Sequence, residues 1–345
     1  MPTDTMPVSV YVGEGRVTVE ERPVPVPGPG QVLIEVARCG ICGTDLHLVL
    51  EQIARPGSIL GHEWAGSVAA LGPNVTGWEL GDRIVANPTS GCGRCRACLR
   101  GRPSVCLERE PPDYLSWRGA FSRYVTANAS SLLRIPEPLG TREAALTEPT
   151  AIAIHAVHLS GVTPEDRVLV TGAGPVGQLI LAVLRSEGID DVTVSEPSPV
   201  RRARAAAIGA KEVVEPEALP EAPMGLPVVR PFTVAFECSG QPSAAEAALD
   251  QLDYAGLLVF VGTGTRLPKV NHNRMIVLEL TAIGAYNYDA EGFGPALELL
   301  ASGRLPLDLL IEPDDVPLDG LQETLERLGR GEIPGKVLVR PEVTP

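Results

Sequence analysis

Along the first 130 residues, apolar and polar positions alternate in short runs that end in glycine or proline: Tyr11-Val12, Arg16 to Glu20, Gln31 to Ala37, Ala65 to Ala70, Asp82 to Ala86 and Phe121 to Thr126. Such runs between turn formers predict short strands, so this part reads as a β-rich domain. From about Glu148 the texture changes. Unbroken apolar runs at Arg167 to Val170 and Val192 to Val194 alternate with helical stretches at Val176 to Glu187 and Pro199 to Ile208. Strands without alternation are buried on both faces, and interleaving them with helices gives a βαβ pattern with a parallel sheet. Thr233 to Glu237, a helix near Ser243 to Leu252, Leu257 to Val261 and Leu280 to Tyr286 continue the series, and six strands complete a doubly wound sheet. Pro216 to Pro231 lacks periodicity and reads as a solvated connection. After Gly292, two amphipathic helices (Pro295 to Ser302, Leu318 to Gly329) lead to a strand at Lys336 to Arg340 that can rejoin the first domain. The expected partition is 1–149, 150–288 and 289–345.

Composition sharpens this reading. At 345 residues and 44% hydrophobic, the chain can bury two cores. Its 36 glycines and 33 prolines are scattered as punctuation and form no low-complexity tract. A net charge of −14 argues against a nucleic-acid partner, because phosphate-backbone binding depends on releasing counterions from a basic surface. No basic segment followed by an apolar core opens the sequence, and no run approaches the roughly 20 apolar residues of a membrane span, so a cytoplasmic location is expected. Four of the seven cysteines fall within fifteen residues. In a reducing compartment that clustering reads as metal binding.

Gly172-Ala173-Gly174-Pro175-Val176-Gly177 follows an apolar strand and opens a helix. In a GxGxxG turn the first glycine permits the tight turn, the second lets a pyrophosphate approach the backbone, and the third allows close helix–strand packing. The helix N-terminus meets the phosphate charge. Glu196 ends the next strand, where a carboxylate can accept hydrogen bonds from ribose hydroxyls and repel a 2′-phosphate, favouring NAD over NADP. Arg201 and Arg202, close behind, can offset that preference.

Cys92, Cys95, Cys98 and Cys106 have the spacing CxxCxxCx7C within a lobe at 90–108, suited to wrapping four thiolates around one closed, structural zinc ion. Arg94, Arg96, Arg100 and Arg102 are placed to offset the net negative charge. An iron–sulfur cluster is the competing reading, but the ferredoxin run places its fourth cysteine sooner and follows it with proline, where Leu107 stands here.

A second donor set is dispersed through Cys42-Gly43-Thr44-Asp45-Leu46-His47, Gly61-His62-Glu63 and Thr147-Glu148-Pro149. Cys42 and His62 offer a thiolate and an imidazole, and Glu148 or Glu63 an oxygen. A catalytic zinc needs about three such ligands and one open position. With these motifs, the cysteine lobe and the nucleotide pattern together, the chain resembles the zinc-containing medium-chain dehydrogenases, on the sorbitol and butanediol dehydrogenase side, along nearly its whole length.

The resemblance implies an α/β protein, a Rossmann doubly wound parallel-sheet domain plus a β-rich GroES-like catalytic domain. It implies two zinc ions per chain, NAD as coenzyme and hydride transfer between an alcohol or polyol and its carbonyl form. It puts Cys42, His62 and Glu148 at the positions of the catalytic zinc ligands, with Glu63 able to approach the metal or replace a ligand. Asp45 matches the carboxylate that orients the histidine ligand, and Thr44 and His47 match a proton relay. A homodimer or homotetramer, paired through the last strand of the nucleotide domain, is also implied.

Other readings remain. A threonine-type or amino-polyol dehydrogenase shares the CGTDLH string, and a catalytically silent nucleotide-binding protein is the alternative of another class. Cys39 and Cys42 spell a CxxC, but the zinc reading uses Cys42 and leaves Cys39 and Cys238 as small buried hydrophobes. His155 and His158 share a helix face without a third donor nearby in sequence, so packing is expected for both. His272 belongs to no interpretable motif. Trp64, Trp117, Tyr286 and Tyr288 are candidates to line a substrate pocket, although core positions are commoner for any single aromatic.

Overall fold

The computed structural model describes residues 5–88, 91–109 and 118–343, and the chain divides into two compact units. The first holds Met1–Glu148, Phe293–Gly303 and Ile311–Pro345; the second holds Pro149–Gly292 and Arg304–Leu310. The chain thus crosses back at Gly292, and Arg304–Leu310 belongs to the second unit although the sequence pattern groups it with the tail. The cause is packing: the short helix Leu307–Leu310 sits against the helices Pro175–Ser186 and Pro199–Ile208, and Leu305 and Leu310 are buried. Among the described residues no helix is long and apolar enough to cross a membrane.

The first unit is built on a seven-stranded sheet beside a hairpin, Thr5–Gly13 with Arg16–Pro23. Its central strand, Gln31–Gly40, runs antiparallel to Glu63–Leu71 along one edge. The other edge is shared: residues 31–35 pair with Tyr124–Asn128, while Cys39 and Gly40 pair with Leu338–Arg340. Arg83–Ala86, Leu132–Arg134 and Val316–Pro317 complete the sheet. Tyr11, Ile34, Leu60, Ile84 and Phe121 fill the core, sealed by Leu321 and Leu325 of the amphipathic helix Leu321–Gly329. Each such side chain contributes about 1.5–3 kcal/mol by leaving water. Gly40 pairs with both Glu63 and Leu338, so this register brings the end of one strand, the start of the next and the residues before the last strand together at one end of these strands.

The second unit is a six-stranded sheet with the order Glu212–Val214, Val192–Ser195, Val168–Thr171, Phe232–Glu237, Leu252–Phe260, Thr281–Gly284, parallel throughout. In order of appearance this is 3-2-1-4-5-6, the doubly wound arrangement whose strand order reverses between the first and fourth strands. Val168–Thr171 and Val192–Ser195 are buried at every position, as unbroken apolar runs require. The third strand, Glu212–Val214, has only half-buried residues. Pro216 to Pro231 carries one turn of 3₁₀ helix, Pro216–Ala218, and exposes Met224 and Val229 almost fully.

Candidate active site

Cys42 stands just before the helix Gly43–Leu50, which starts immediately after the central strand, and His62 and Glu63 stand where the neighbouring strand begins. The ligand atoms of Cys42, His62 and Glu63 all lie within 4.8 Å of one another. Asp45 is fully buried and braces both segments: its Oδ2 accepts from the Cys42 N–H at 2.9 Å and its Oδ1 from the Gly61 N–H at 3.3 Å. Asp45 Oδ1 is 3.9 Å from His62 Nδ1, beyond hydrogen-bond length, so it acts on the imidazole through its charge, while its hydrogen bonds fix the backbone at Cys42 and Gly61. Thr44 Oγ1 lies 3.6 Å from Cys42 Sγ. One turn further on, His47 Nδ1 meets Glu51 Oε1 at 2.6 Å.

Glu63 is 1% exposed, and both its oxygens are held by Lys336 Nζ, at 2.8 and 2.6 Å. The same ammonium donates to the Ile41 carbonyl at 2.9 Å and is itself 2% exposed. Gly40 makes room: a Cβ there would stand 2.3 Å from Glu63 Oε2. Lys336 was legible in the sequence only as the first residue of a strand; a lone lysine heading the apolar run Val337-Leu338-Val339 was the available signal.

Glu148, in the first turn of the helix Thr147–Ser160, is buried and outside the group formed by Cys42, His62 and Glu63, yet it shares their field. Burial pushes its carboxyl up to about 7, assisted by Glu63 and Asp45 and opposed by His62 and Lys336. Burial alone would lower the His62 imidazole, but the Cys42 sulfur, Asp45 and Glu148 carry it well above its usual value. Three buried carboxylates and a thiol therefore surround one lysine and one imidazole. A divalent cation supplies the missing positive charge, and sulfur, nitrogen and oxygen donors with room for a fourth ligand suit zinc in a catalytic role. The donor set fits that ion.

The four-cysteine lobe closes on itself. Cys92, Cys95, Cys98 and Cys106 bring their sulfurs within 4.8 Å of one another, with Cys92–Cys98 at 4.0 Å and Cys95–Cys106 at 3.9 Å. Zinc–sulfur bonds of about 2.3 Å in a tetrahedron put sulfurs about 3.8 Å apart, so the separations suit one ion. Backbone N–H groups of Cys92, Cys95 and Leu107 point at the sulfurs of Cys106, Cys92 and Cys95. Hydrogen bonds from the backbone of Cys98 and Leu107 hold the Cys95 thiol down to about 6. Arg94, expected to offset the thiolates, pairs with Glu108 instead at 2.7 Å, so backbone amides take over part of that task.

In the second unit each glycine of the nucleotide turn has its own constraint. Gly172 has φ +91°, a Cβ on Gly177 would stand 2.0 Å from the Gly172 carbonyl oxygen, and a Cβ on Gly174 would meet nothing within 4 Å. The turn is thus packed at its first and third glycines and open at the second, where a dinucleotide's pyrophosphate fits. Pro175 opens the following helix, Pro175–Ser186, and Val176 is its second residue. Glu196 is 3% exposed, with Oε2 on the Ala173 N–H at 2.7 Å and Oε1 on the Ser198 N–H at 2.9 Å, so it fastens the glycine turn. Arg201 lies on the next helix, Pro199–Ile208, where its N–H meets the capping Ser198 hydroxyl at 3.5 Å, while Arg202 pairs with Glu215.

Other expectations sort as follows. Trp64 packs against the first core and Tyr288 is 2% exposed, whereas Tyr286 is half exposed. Trp117 lies outside the described residues. Burial pushes the Cys39 and Cys238 thiols up, the opposite of what a redox cysteine needs. His272 opens the helix His272–Val277, which Asn271 caps by accepting from the Arg274 N–H. His158 reaches Glu187 at 3.3 Å. His155 does have acidic neighbours that its sequence surroundings concealed: Glu291 Oε1 at 2.8 Å and Asp289 Oδ2 at 4.0 Å. They lie 136 and 134 positions further along the chain, respectively.

With this geometry in view, the family models fall into place: residues 28–137 match the alcohol dehydrogenase GroES-like domain and residues 175–302 match zinc-binding dehydrogenase. The sorbitol dehydrogenase of Bacillus subtilis is 32% identical over 340 residues, covering 93% of each chain. The L-threonine 3-dehydrogenase of Stenotrophomonas maltophilia is 34% identical over 313 residues, covering 88% of this chain and 91% of the relative. The crystal structure of 2R,3R-butanediol dehydrogenase from Bacillus subtilis superposes with a TM-score of 0.85 at 28% identity, covering 98% of this chain and all of that one. Two matched domain models, a relative alike from end to end and a structural match over the whole chain place this protein in the zinc-containing medium-chain alcohol dehydrogenase family.

Proposed function

We propose that this chain oxidises a secondary alcohol of a polyol or vicinal diol to the ketone with NAD, reversibly, at a site assembled on Cys42, His62 and Glu63. The observation that carries the reading is that one thiol, one imidazole and one carboxylate meet within 4.8 Å, with a threonine hydroxyl beside the thiol. Zinc bound there lowers the pKa of an alcohol and polarises a carbonyl, and the nicotinamide ring exchanges the hydride.

The chain's own groups do the rest. Cys42, His62 and Glu63 hold the metal, and Glu148, pushed up to about 7 by burial, stands as a second oxygen donor able to exchange with Glu63. Lys336 holds Glu63 and limits the site's negative charge. Thr44 Oγ1 would accept the proton of the substrate hydroxyl, and His47, whose side chain is 33% exposed, would release it to solvent. Gly172, Gly174, Pro175, Val176 and Gly177 would seat the pyrophosphate, and the negative charge of Glu196, which fastens that turn, would favour NAD over NADP. Cys92, Cys95, Cys98 and Cys106 hold the structural zinc.

The outer strand Thr281–Gly284 is exposed at Thr281, Ala282 and Gly284, and Ile276, Val277 and Tyr286 nearby are also exposed. An apolar sheet edge of this kind supports a homodimer paired edge to edge. Two thiolate-bearing metal sites and seven free cysteines suit a cytoplasmic location.

A panel of sorbitol, butane-2,3-diol, primary alcohols and L-threonine, each with NAD and NADP and read as reduced-coenzyme absorbance, tests the reading. Polyol or diol turnover with NAD is expected. Turnover confined to L-threonine supports the second reading, favoured by the threonine dehydrogenase relative, and overturns the polyol assignment.

A further inference from the structure

We infer that Glu51 is a positioning residue for the proton relay: it fixes which nitrogen of His47 carries hydrogen and which way the ring faces. The inference rests on the reading of His47 as the end of that relay. His47 lies in the last turn of the helix Gly43–Leu50, and Glu51 is the residue that caps the helix end, one turn on. Residues four apart on a helix share a face, and here His47 Nδ1 and Glu51 Oε1 stand 2.6 Å apart.

An ionised carboxylate can only accept a hydrogen bond, so at this distance the hydrogen belongs to Nδ1. In a neutral imidazole that leaves the lone pair on Nε2, free to take a proton arriving from the alcohol. Once the proton has arrived, the carboxylate faces an imidazolium, and the contact becomes charge-assisted. Were Glu51 absent, the ring would rotate and sample the other tautomer, in which Nε2 bears hydrogen and accepts nothing. The two side chains are 33% and 35% exposed, so a carboxylate from solution can reach the vacated position.

A structural role alone predicts little. An exposed pair of this spacing supports its helix by a few tenths of a kcal/mol and has no means of changing turnover. The positioning role is tested in the zinc-loaded enzyme with 15N-labelled histidine, the His47 signals being assigned by their loss in His47→Asn. The wild type is expected to show the Nδ1–H form. Glu51→Ala is expected to shift toward a mixture of tautomers, and Glu51→Gln, which keeps an acceptor oxygen, to retain the wild-type pattern.

In turnover with the best alcohol of the panel, Glu51→Ala should lower kcat about tenfold, a fraction of the 10²–10⁴ that general acid–base catalysis supplies, with KM unchanged. Formate or acetate should restore Glu51→Ala and have no effect on His47→Asn. If His47→Asn slows turnover while Glu51→Ala keeps the wild-type tautomer and a kcat within twofold, the positioning role is overturned and the relay stands. If His47→Asn turns over normally, the relay reading falls, and the role of Glu51 with it.

Discussion

Replacing Lys336 by methionine isolates the electrostatics of the metal centre. Methionine keeps the apolar stem and removes an ammonium that is 2% exposed and bound to both oxygens of Glu63 at 2.8 and 2.6 Å and to the Ile41 carbonyl at 2.9 Å. Glu63 is then left without its partner at 1% exposure, in the company of Asp45 and Glu148. Removing one partner of a buried pair costs about 3–5 kcal/mol, because the other charge stays desolvated and uncompensated. At about 2–4 °C per kcal/mol for a domain of this size, the first unit should melt about 6–20 °C lower. Little of this is lost to solvent screening, since neither group meets water. The double variant Lys336→Met with Glu63→Gln removes both charges and should recover most of the loss. The assay is thermal unfolding of chelator-treated protein, then of zinc-loaded protein, where the added dication should narrow the gap. If the single and double variants melt together, or if Lys336→Met lies within about 1 kcal/mol of wild type, the picture of Glu63 as a charge held in check by Lys336 is wrong.

Thr44→Val should abolish most turnover while leaving NAD affinity, read by coenzyme fluorescence, unchanged; normal turnover removes Thr44 from the relay. Metal analysis should find two zinc ions per chain, and Cys106→Ser should leave one while lowering thermal stability, with a second zinc retained by the variant counting against the four-sulfur site. Because burial sets the Glu148 carboxyl near 7 in the metal-free chain, its protonation should oppose the metal. Zinc affinity is therefore expected to rise as pH climbs through 7 and to flatten in Glu148→Gln, and an unaltered pH dependence in that variant separates Glu148 from the ion. Glu196→Ala should loosen the glycine turn and narrow the preference for NAD over NADP, read as the ratio of kcat/KM for the two coenzymes.

The parts of the molecule that were legible in the sequence share one physical property: they are written in short-range pattern. The glycine turn, the four-cysteine spacing and the buried strands around Val168 and Val192 each follow from residues within a few positions of one another. What stayed hidden depends on contacts between distant positions. Lys336 joins Glu63 across 273 residues, and His155 finds Glu291 across 136. The strand Glu212–Val214 escaped notice because three half-buried residues carry no periodicity, and only the neighbouring Val192–Ser195 gives it a place. The Leu307–Leu310 helix reads as part of the tail because four residues do not announce the surface they cover.

The clasp between Lys336 and Glu63 also has a bearing on biogenesis. During synthesis on the ribosome, Glu63 emerges 273 residues before the ammonium that tempers it, and Cys42 and His62 emerge earlier still. Until then the nascent chain also lacks Leu338–Arg340, the strand that pairs with Cys39 and Gly40. The finished centre therefore needs both Lys336 and the strand Leu338–Arg340 in place. A chain truncated before Lys336 should accordingly hold zinc at Cys42, His62 and Glu63 less tightly than the full chain, read by metal analysis.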